Sequence, residues 1–176
     1  MIAQLVFQKD SRQIRKKPQP HSFKMSDSTV SVIARIRPSR GLTSNDVLNL
    51  DGEDSILVNS QRYTFTRCLG PEARQDTVFE VAGRGISDAA LGGYNCTLFA
   101  YGQTGSGKTH TIYGPNDGKD PTQQGLLPRT LEYVFSQMRT KEESSGGRLK
   151  YSVKVSFLEV GWTFRSYNIS QIALLV

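Results

Sequence analysis

Eight consecutive residues near the middle of the chain match the phosphate-binding pattern G-x-x-x-x-G-K-[ST]. In order they are Gly102, Gln103, Thr104, Gly105, Ser106, Gly107, Lys108 and Thr109. Glycines allow positive φ angles and leave the backbone bare, so successive N–H groups can converge on phosphate oxygens. Lys108 is expected to reach the β- and γ-phosphates, and the Thr109 hydroxyl to bind Mg²⁺. The segment therefore predicts a nucleoside-triphosphate site.

The predicted elements on either side of this loop are those that such a site needs. A short, almost wholly apolar strand is predicted over 97–101, as a buried parallel strand would be. A helix is predicted to begin at Lys108, and its N-terminus would add a partial positive charge near the phosphates. The strand, loop and helix in this order support the assignment of the motif.

The remaining hydrophobic patterns predict a layered α/β domain. A β-branched run predicts a strand over 30–37, which Pro38 ends. Helical spacing of apolar residues covers 72–91 and resumes from Pro128 to about 143. Shorter strands are predicted at 55–58, 62–65 and 149–158. Strands and helices in this order fit one layered α/β domain.

The basic charge lies mostly in one terminal segment. The net charge is +6, but residues 1–25 hold six basic side chains and one acidic one, so the rest of the chain is nearly balanced. Residues 1–28 show no sustained period and are predicted to be a disordered, solvated leader. Such a segment could contact an acidic partner such as tubulin, RNA or a membrane surface. A nucleic-acid-binding body is not indicated.

The composition favours an intracellular, cytoplasmic protein. No apolar run approaches the roughly 18–20 residues of a membrane span, and the apolar stretch over 2–7 is too short for a secretory signal. Cys68 and Cys96 form no C-x-x-C pattern, so they are expected to be thiols in a reducing compartment.

Four stretches agree in order and spacing with one family. The string F-A-Y-G-Q-T-G-S-G-K-T-H-T over 99–111 closely resembles the kinesin motor signature. R-I-R-P at 35–38, G-Y-N at 93–95 and G-L-L-P-R at 125–129 resemble three further kinesin elements. The resemblance covers about 29–159. It implies a P-loop NTPase fold with a central mixed sheet, ATP and Mg²⁺ as cofactors, ATPase activity, and microtubules (tubulin) as partner of the full-length family.

The same resemblance implies which residues contact the adenine base. They are Arg35, Arg37, Pro38 and His110. Proline and an imidazole can sandwich a purine ring, and guanidinium groups can stack on it. From the residues alone, Arg37 and Pro38 could equally end a strand, and His110 could be an ordinary helix residue.

The resemblance stops at Glu159, and residues 160–176 are predicted to be a divergent tail. The chain contains no N-x-x-S-S-R switch I and no D-x-x-G-[ST]-E switch II, so no catalytic residue is identified. Phosphoryl transfer depends on such positioning groups, and hydrolysis and motility are therefore not expected of this chain alone. The abrupt break favours a truncated product that lacks the main microtubule-binding surface.

The break also predicts an unstable fold. In the family, the strand at 97–101 lies between two strands from the later half of the domain, so here it would lose both neighbours. Unpaired backbone would then be buried, or an apolar strand exposed, and aggregation would follow. A cooperative thermal unfolding transition would contradict this prediction.

Two other functional classes stay open from the sequence. One is a truncated, non-catalytic nucleotide-binding fragment. The other is a different P-loop NTPase of the GTPase or kinase class, although a guanine reader would usually carry a base-recognition motif such as N-K-x-D, which is not present. Turnover of Mg-ATP with and without microtubules would separate a motor from a binding fragment.

Overall fold

The computed structural model describes residues 2–10, 30–38, 48–115, 120–146, 148–151 and 153. The chain divides into two compact units, 1–134 and 135–176. All the strands described below lie in the first unit. No helix in the described ranges is long and apolar enough to cross a membrane.

The described residues form six strands, then two helices, a seventh strand and two further helices. The strands are β1 Ile2–Asp10, β2 Val30–Ile36, β3 Leu48–Leu50, β4 Ser55–Val58, β5 Gln61–Thr64, β6 Arg67–Leu69 and β7 Asn95–Tyr101. The helices are α1 Gln75–Val78, α2 Arg84–Leu91, α3 Lys108–Ile112 and α4 Leu126–Ser144. A π-helical turn, Phe79–Gly83, joins α1 to α2, and a 3-10 turn, Pro121–Gln123, precedes α4.

The main sheet has four strands in the order β6-β2-β1-β7. β2 and β6 are parallel, whereas β1 is antiparallel to both β2 and β7. The predicted α/β fold with a mixed sheet is therefore confirmed. A second sheet, β3-β4-β5, is an antiparallel meander, and its β4 and β5 correspond to the strands predicted at 55–58 and 62–65.

β1 corrects the prediction of a wholly disordered leader. Ile2–Asp10 lies between β2 and β7 and pairs with both along most of its length. A short apolar run such as 2–7 is compatible with a strand that has neighbours on both sides. The sequence did not indicate this strand for two reasons. Charged residues follow the apolar run closely, and pairing with strands far away in the chain leaves no periodic pattern in the sequence. The rest of the predicted leader, residues 11–28, lies outside the described residues.

Proline in the middle of β1 is expected to destabilise this sheet. Val6 is in register with Val32 on one side and Phe99 on the other. Val6→Pro removes an N–H from a strand paired on both edges, at a cost of about 2–3 kcal/mol in the free energy of unfolding. Val6→Thr keeps the amide and the β-branched shape, so it is the matched control. Equal urea midpoints for the two variants would show that β1 is not part of the stable sheet.

β7 was predicted to be a buried strand without either neighbour, and both parts need correction. One edge pairs with β1, so the strand does have a neighbour. Its other edge has no strand partner within the described ranges. One face is also open, with Phe99 47% and Tyr101 67% exposed. The exposed apolar face agrees with one of the two outcomes expected for a strand with missing neighbours; the predicted instability stays a prediction.

β2 lies between two hydrophobic clusters because its side chains alternate between the faces of the sheet. Ile33 belongs to a cluster with Leu69 of β6 and with residues of the helical segments: Val78, Phe79, Ala82 and Leu126. Ala34 and Ile36 belong to a second cluster with Ile56 and Cys68. The end of β2, which includes Arg35, is therefore held in place by packing on both faces, and Arg37 and Pro38 follow it directly.

The structure differs from the predicted secondary structure at three further places. Neither β3 nor β6 was predicted from the sequence. Of the strand predicted at 149–158, the described residues 149–151 and 153 are not in a strand, and the others lie outside the described residues, as do 160–176. Cys68 and Cys96 are both thiols, as predicted.

Candidate nucleotide-binding site

A cleft of about 680 Å³ lies where the end of β2 faces the loop after β7. All four residues predicted to contact adenine line this cleft: Arg35, Arg37, Pro38 and His110. So do six of the eight residues of the predicted phosphate loop: Thr104, Gly105, Ser106, Gly107, Lys108 and Thr109. The structure thus brings together two segments that are almost 70 residues apart in the sequence.

The loop needs glycine because its backbone takes conformations that side chains disfavour. Gly102, Gly105 and Gly107 have φ angles of 154°, 79° and 101°. Gly107 is the last residue before α3 and has a left-handed conformation. A residue with a Cβ at Gly105 or Gly107 would be strained. The predicted role of these glycines is therefore consistent with their geometry.

Lys108 folds back on its own loop. Its Nζ donates to the carbonyl oxygen of Gly102 at 2.7 Å and to that of Gln103 at 3.0 Å. These two residues do not line the cleft, so their part in the site is to hold the lysine. The ammonium group sits at the loop without a carboxylate partner in the described part of the chain.

One hydroxyl in the loop is buried and unpaired. Ser106 is 2% exposed, and its Oγ has no hydrogen-bond partner among the described residues. Its backbone N–H donates to the Gln103 carbonyl oxygen at 3.1 Å, so the turn itself is satisfied. Buried polar atoms without partners are uncommon, and this one lies in the segment predicted to hold phosphate.

Arg37, Pro38 and His110 line the cleft on the side of the β2 end and of α3. Arg37 is exposed and donates a hydrogen bond to the carbonyl oxygen of Gly105, which connects the two walls. Proline and imidazole are therefore in the same cleft, as adenine stacking requires. The stacking itself stays a prediction.

Arg35 has a different setting from the other three. Its Nη1 donates to Gln75 Oε1 and Thr111 Oγ1, both at 3.0 Å, and its Nη2 donates to the Ala73 carbonyl oxygen at 3.2 Å. Burial lowers the pKa of the guanidinium from its ordinary value. Arg35 thus joins β2, α1 and α3. Its hydrogen bonds hold the cleft together, and they are compatible with a base stacked on its plane.

Gln75 and Thr111 were not identified from the sequence. Gln75 is 3% exposed and Thr111 is 1% exposed, and both are hydrogen-bonded to Arg35. No local pattern marks a buried polar residue whose partner lies 40 or 76 residues away. The only signal was that Gln75 is a polar residue near the start of the predicted helix, where such residues are ordinarily solvated.

The G-L-L-P-R stretch is explained by the contacts of three of its residues. Gly125 lies against the end of α3, and its N–H donates to the Tyr113 carbonyl oxygen at 2.9 Å. Leu126 is 1% exposed in the core. Arg129 donates to the carbonyl oxygens of Gln124 at 2.8 Å and Thr122 at 3.0 Å. The stretch therefore closes the loop after α3 and starts α4.

His110 is expected to be neutral at pH 7. Burial lowers the pKa of its imidazole, and the positive charges of Arg35 and Arg37 lower it further. We expect a titration midpoint below the ordinary value of about 6.5, measured by NMR in a His21→Gln background. Because the unfolded chain then binds more protons than the folded one, acidification through this window lowers the free energy of unfolding.

Arg37→Gln is expected to raise the pKa of His110 back toward its ordinary value, because it removes one of the two cations. Arg62→Gln on β5 is the control, since that exposed arginine pairs with Asp51 and does not line the cleft. A wild-type midpoint at or above about 6.5 would contradict the expectation. So would an unchanged midpoint in Arg37→Gln.

A metal would have few protein ligands here. The described residues contain no cluster of three or more His, Cys, Asp or Glu side chains suited to a metal ion. Thr109 lines the cleft next to Lys108. This donor set fits Mg²⁺, which commonly takes one or two protein oxygens and completes its shell with phosphate oxygens and water.

Comparisons with known proteins agree with this site. The model of the Kinesin motor domain matches residues 15–162, which extends beyond the expected 29–159 at both ends and leaves β1 outside. Kinesin-like protein KIN-12B of Arabidopsis thaliana is 38% identical over 143 residues, covering 77% of this chain and 11% of that protein. Kinesin-like protein KIF15 of Rattus norvegicus is 32% identical over 166 residues, covering 84% of this chain and 12% of that protein.

A solved structure of a kinesin family member has a similar fold. The Drosophila kinesin family member NOD in complex with AMPPNP superposes with a TM-score of 0.57 at 25% identity, covering 70% of this chain and 43% of that one. NOD has also been docked with bovine tubulin into a map of its microtubule complex. This chain spans about a ninth of the length of the two curated relatives named above. With the phosphate loop, the cleft and the matched segment in agreement, the chain belongs to the kinesin motor-domain family.

Proposed function

We propose that this chain is the ATP-binding portion of a kinesin-like microtubule motor. The observation that carries the proposal is the convergence of Arg37, Pro38 and His110 with the phosphate loop in one cleft. The phosphates lie along 104–109, and the adenine base lies against the residues at the end of β2 and His110. The NOD complex with AMPPNP supports a nucleotide of this kind in the family.

Lys108 supplies the main positive charge to the phosphates. It exchanges the Gly102 and Gln103 carbonyl oxygens, its present acceptors, for phosphate oxygens. A hydrogen bond from the ammonium to an anionic phosphate oxygen, in which both partners are charged, is stronger than one to a neutral carbonyl oxygen, so this exchange favours the bound state. The backbone N–H groups of 105, 107 and 108 add neutral donors, and so does the Ser106 hydroxyl, which has no partner among the described residues.

Thr109 would hold Mg²⁺ through its hydroxyl oxygen. Bound there, the ion would neutralise phosphate charge, and the chain would contribute one ligand and the shape of the cleft. His110 contributes a neutral ring to the purine side of the cleft, because its pKa is lowered.

We further propose that these 176 residues bind ATP without efficient hydrolysis or motility. The sequence holds no switch I or switch II motif, so nothing in it positions the attacking water or senses the γ-phosphate. Microtubules are the proposed partner of the whole motor, in the cytoplasm and on the cytoskeleton, as the NOD–tubulin structure supports. The family assignment leaves the GTPase and kinase alternatives without support.

Binding and turnover must be measured separately to test this. We expect saturable, Mg²⁺-dependent binding of a fluorescent ATP analogue, displaced by ATP more readily than by GTP. We expect phosphate release that microtubules do not stimulate. An absence of nucleotide binding would contradict the proposed function. Stimulated phosphate release would contradict the proposed loss of hydrolysis while leaving ATP binding intact.

A further inference from the structure

Gln75 lies at the centre of the hydrogen-bond network behind the cleft. Its Oε1 accepts from Arg35 Nη1 at 3.0 Å, and its Nε2 donates to the His110 carbonyl oxygen at 2.7 Å. The same Nε2 lies 3.5 Å from His110 Nδ1. The side chain is almost fully buried and spans from β2 to α3. It also borders the cleft.

The network requires an amide and defines its orientation. Arg35 can only donate, and the His110 carbonyl oxygen can only accept, so the oxygen and nitrogen of Gln75 can be assigned without ambiguity. A carboxylate would place an acceptor against the His110 carbonyl oxygen. An apolar side chain would leave both partners without their hydrogen bond. The side-chain amide of glutamine satisfies both neighbours at this position.

The second amide hydrogen of Gln75 constrains the imidazole. Nε2 carries two hydrogens; one is donated to the His110 carbonyl oxygen, and the other is available to Nδ1. Nδ1 then acts as an acceptor, so the proton of the neutral ring resides on the other ring nitrogen. The hydrogen bond that one ring nitrogen makes sets the tautomer of the other.

We propose that Gln75 is a positioning residue that fixes the tautomer and orientation of His110 for a purine base. The inference rests on the proposed function and deepens it on the base side of the cleft. His110 then offers a ring with one N–H donor in a set orientation, and Arg35 is held beside it by the same amide. Gln75 acts through these two residues and not through the phosphates, which lie along 104–109.

Two readouts separate this role from general support of the fold. In a His21→Gln background at pH 8, we expect ¹⁵N NMR to show the His110 proton on Nε2. Gln75→Met, which is close in length but apolar, is expected to give a mixture of tautomers. This readout needs no nucleotide, so it remains informative even if the chain fails to bind ATP. A single, unchanged tautomer in Gln75→Met would overturn the proposal.

Ligand affinities provide the second readout. Gln75→Met is expected to weaken ATP binding about tenfold and to leave the affinity for inorganic tripolyphosphate unchanged. Gln61→Met on exposed β5 is the matched control, with both affinities as in wild type. Equal losses for ATP and tripolyphosphate would overturn the proposal, because they would indicate general damage to the site. No loss for either ligand would overturn it as well.

Discussion

Replacing Lys108 by alanine is expected to weaken Mg-ATP binding about 100-fold, equivalent to about 3 kcal/mol. The lysine sits at the phosphate loop, and among the described residues its Nζ donates to two carbonyl oxygens of that loop. Alanine leaves the phosphates without this charge-assisted donor. Equilibrium titration with a fluorescent ATP analogue in the presence of Mg²⁺ measures the change.

Two further variants show whether the affinity for Mg-ATP depends on the shape of the cationic group at position 108 or on the loss of any lysine. Lys108→Arg keeps the charge but presents a planar fork in place of a compact ammonium, so an intermediate loss is expected. Lys141→Ala, in the last turn of α4, removes a lysine that does not line the cleft and should bind like wild type. Wild-type affinity in Lys108→Ala would contradict the assignment of the loop.

The phosphate loop was predictable from sequence because its requirements are local. Glycine at positive φ and a following lysine are properties of consecutive residues, and Gly105 and Gly107 have the expected conformations. The strand before the loop and the helix after it were also predictable. The local sequence pattern could not show which strand pairs with β7, since its partner β1 lies about 90 residues earlier in the chain.

The base side of the cleft shows where sequence reasoning reached its limit. Arg37, Pro38 and His110 were expected together because of a family resemblance, and the structure does bring them to one cleft. Arg35 was expected as a base contact, but its hydrogen bonds make it a connection between three elements. Such a network depends on which polar side chains become buried together. Burial of that kind is a property of the folded chain and not of any single segment.

Gly125→Ala is expected to lower the free energy of unfolding by about 3 kcal/mol or more. A Cβ at this position would lie 2.6 Å from the carbonyl carbon and oxygen of Ile112, and 2.7 Å from the backbone nitrogen of Gly114. All three are backbone atoms, so no side-chain rotation can relieve the contact. Either α3 moves or the hydrogen bond from the Gly125 N–H to the Tyr113 carbonyl oxygen breaks.

The Gly52→Ala variant separates this steric effect from the general cost of replacing glycine. Gly52 has a φ of +80°, but nothing lies within 4 Å of an added Cβ there, so only the backbone strain of about 1 kcal/mol is expected. Urea unfolding followed by circular dichroism compares the two variants. Because α3 begins at Lys108, movement of this helix should also weaken Mg-ATP binding in Gly125→Ala and not in Gly52→Ala. Equal urea midpoints would show that the loop after α3 relaxes freely, in which case the glycine of the G-L-L-P-R stretch is not needed for the close approach to α3.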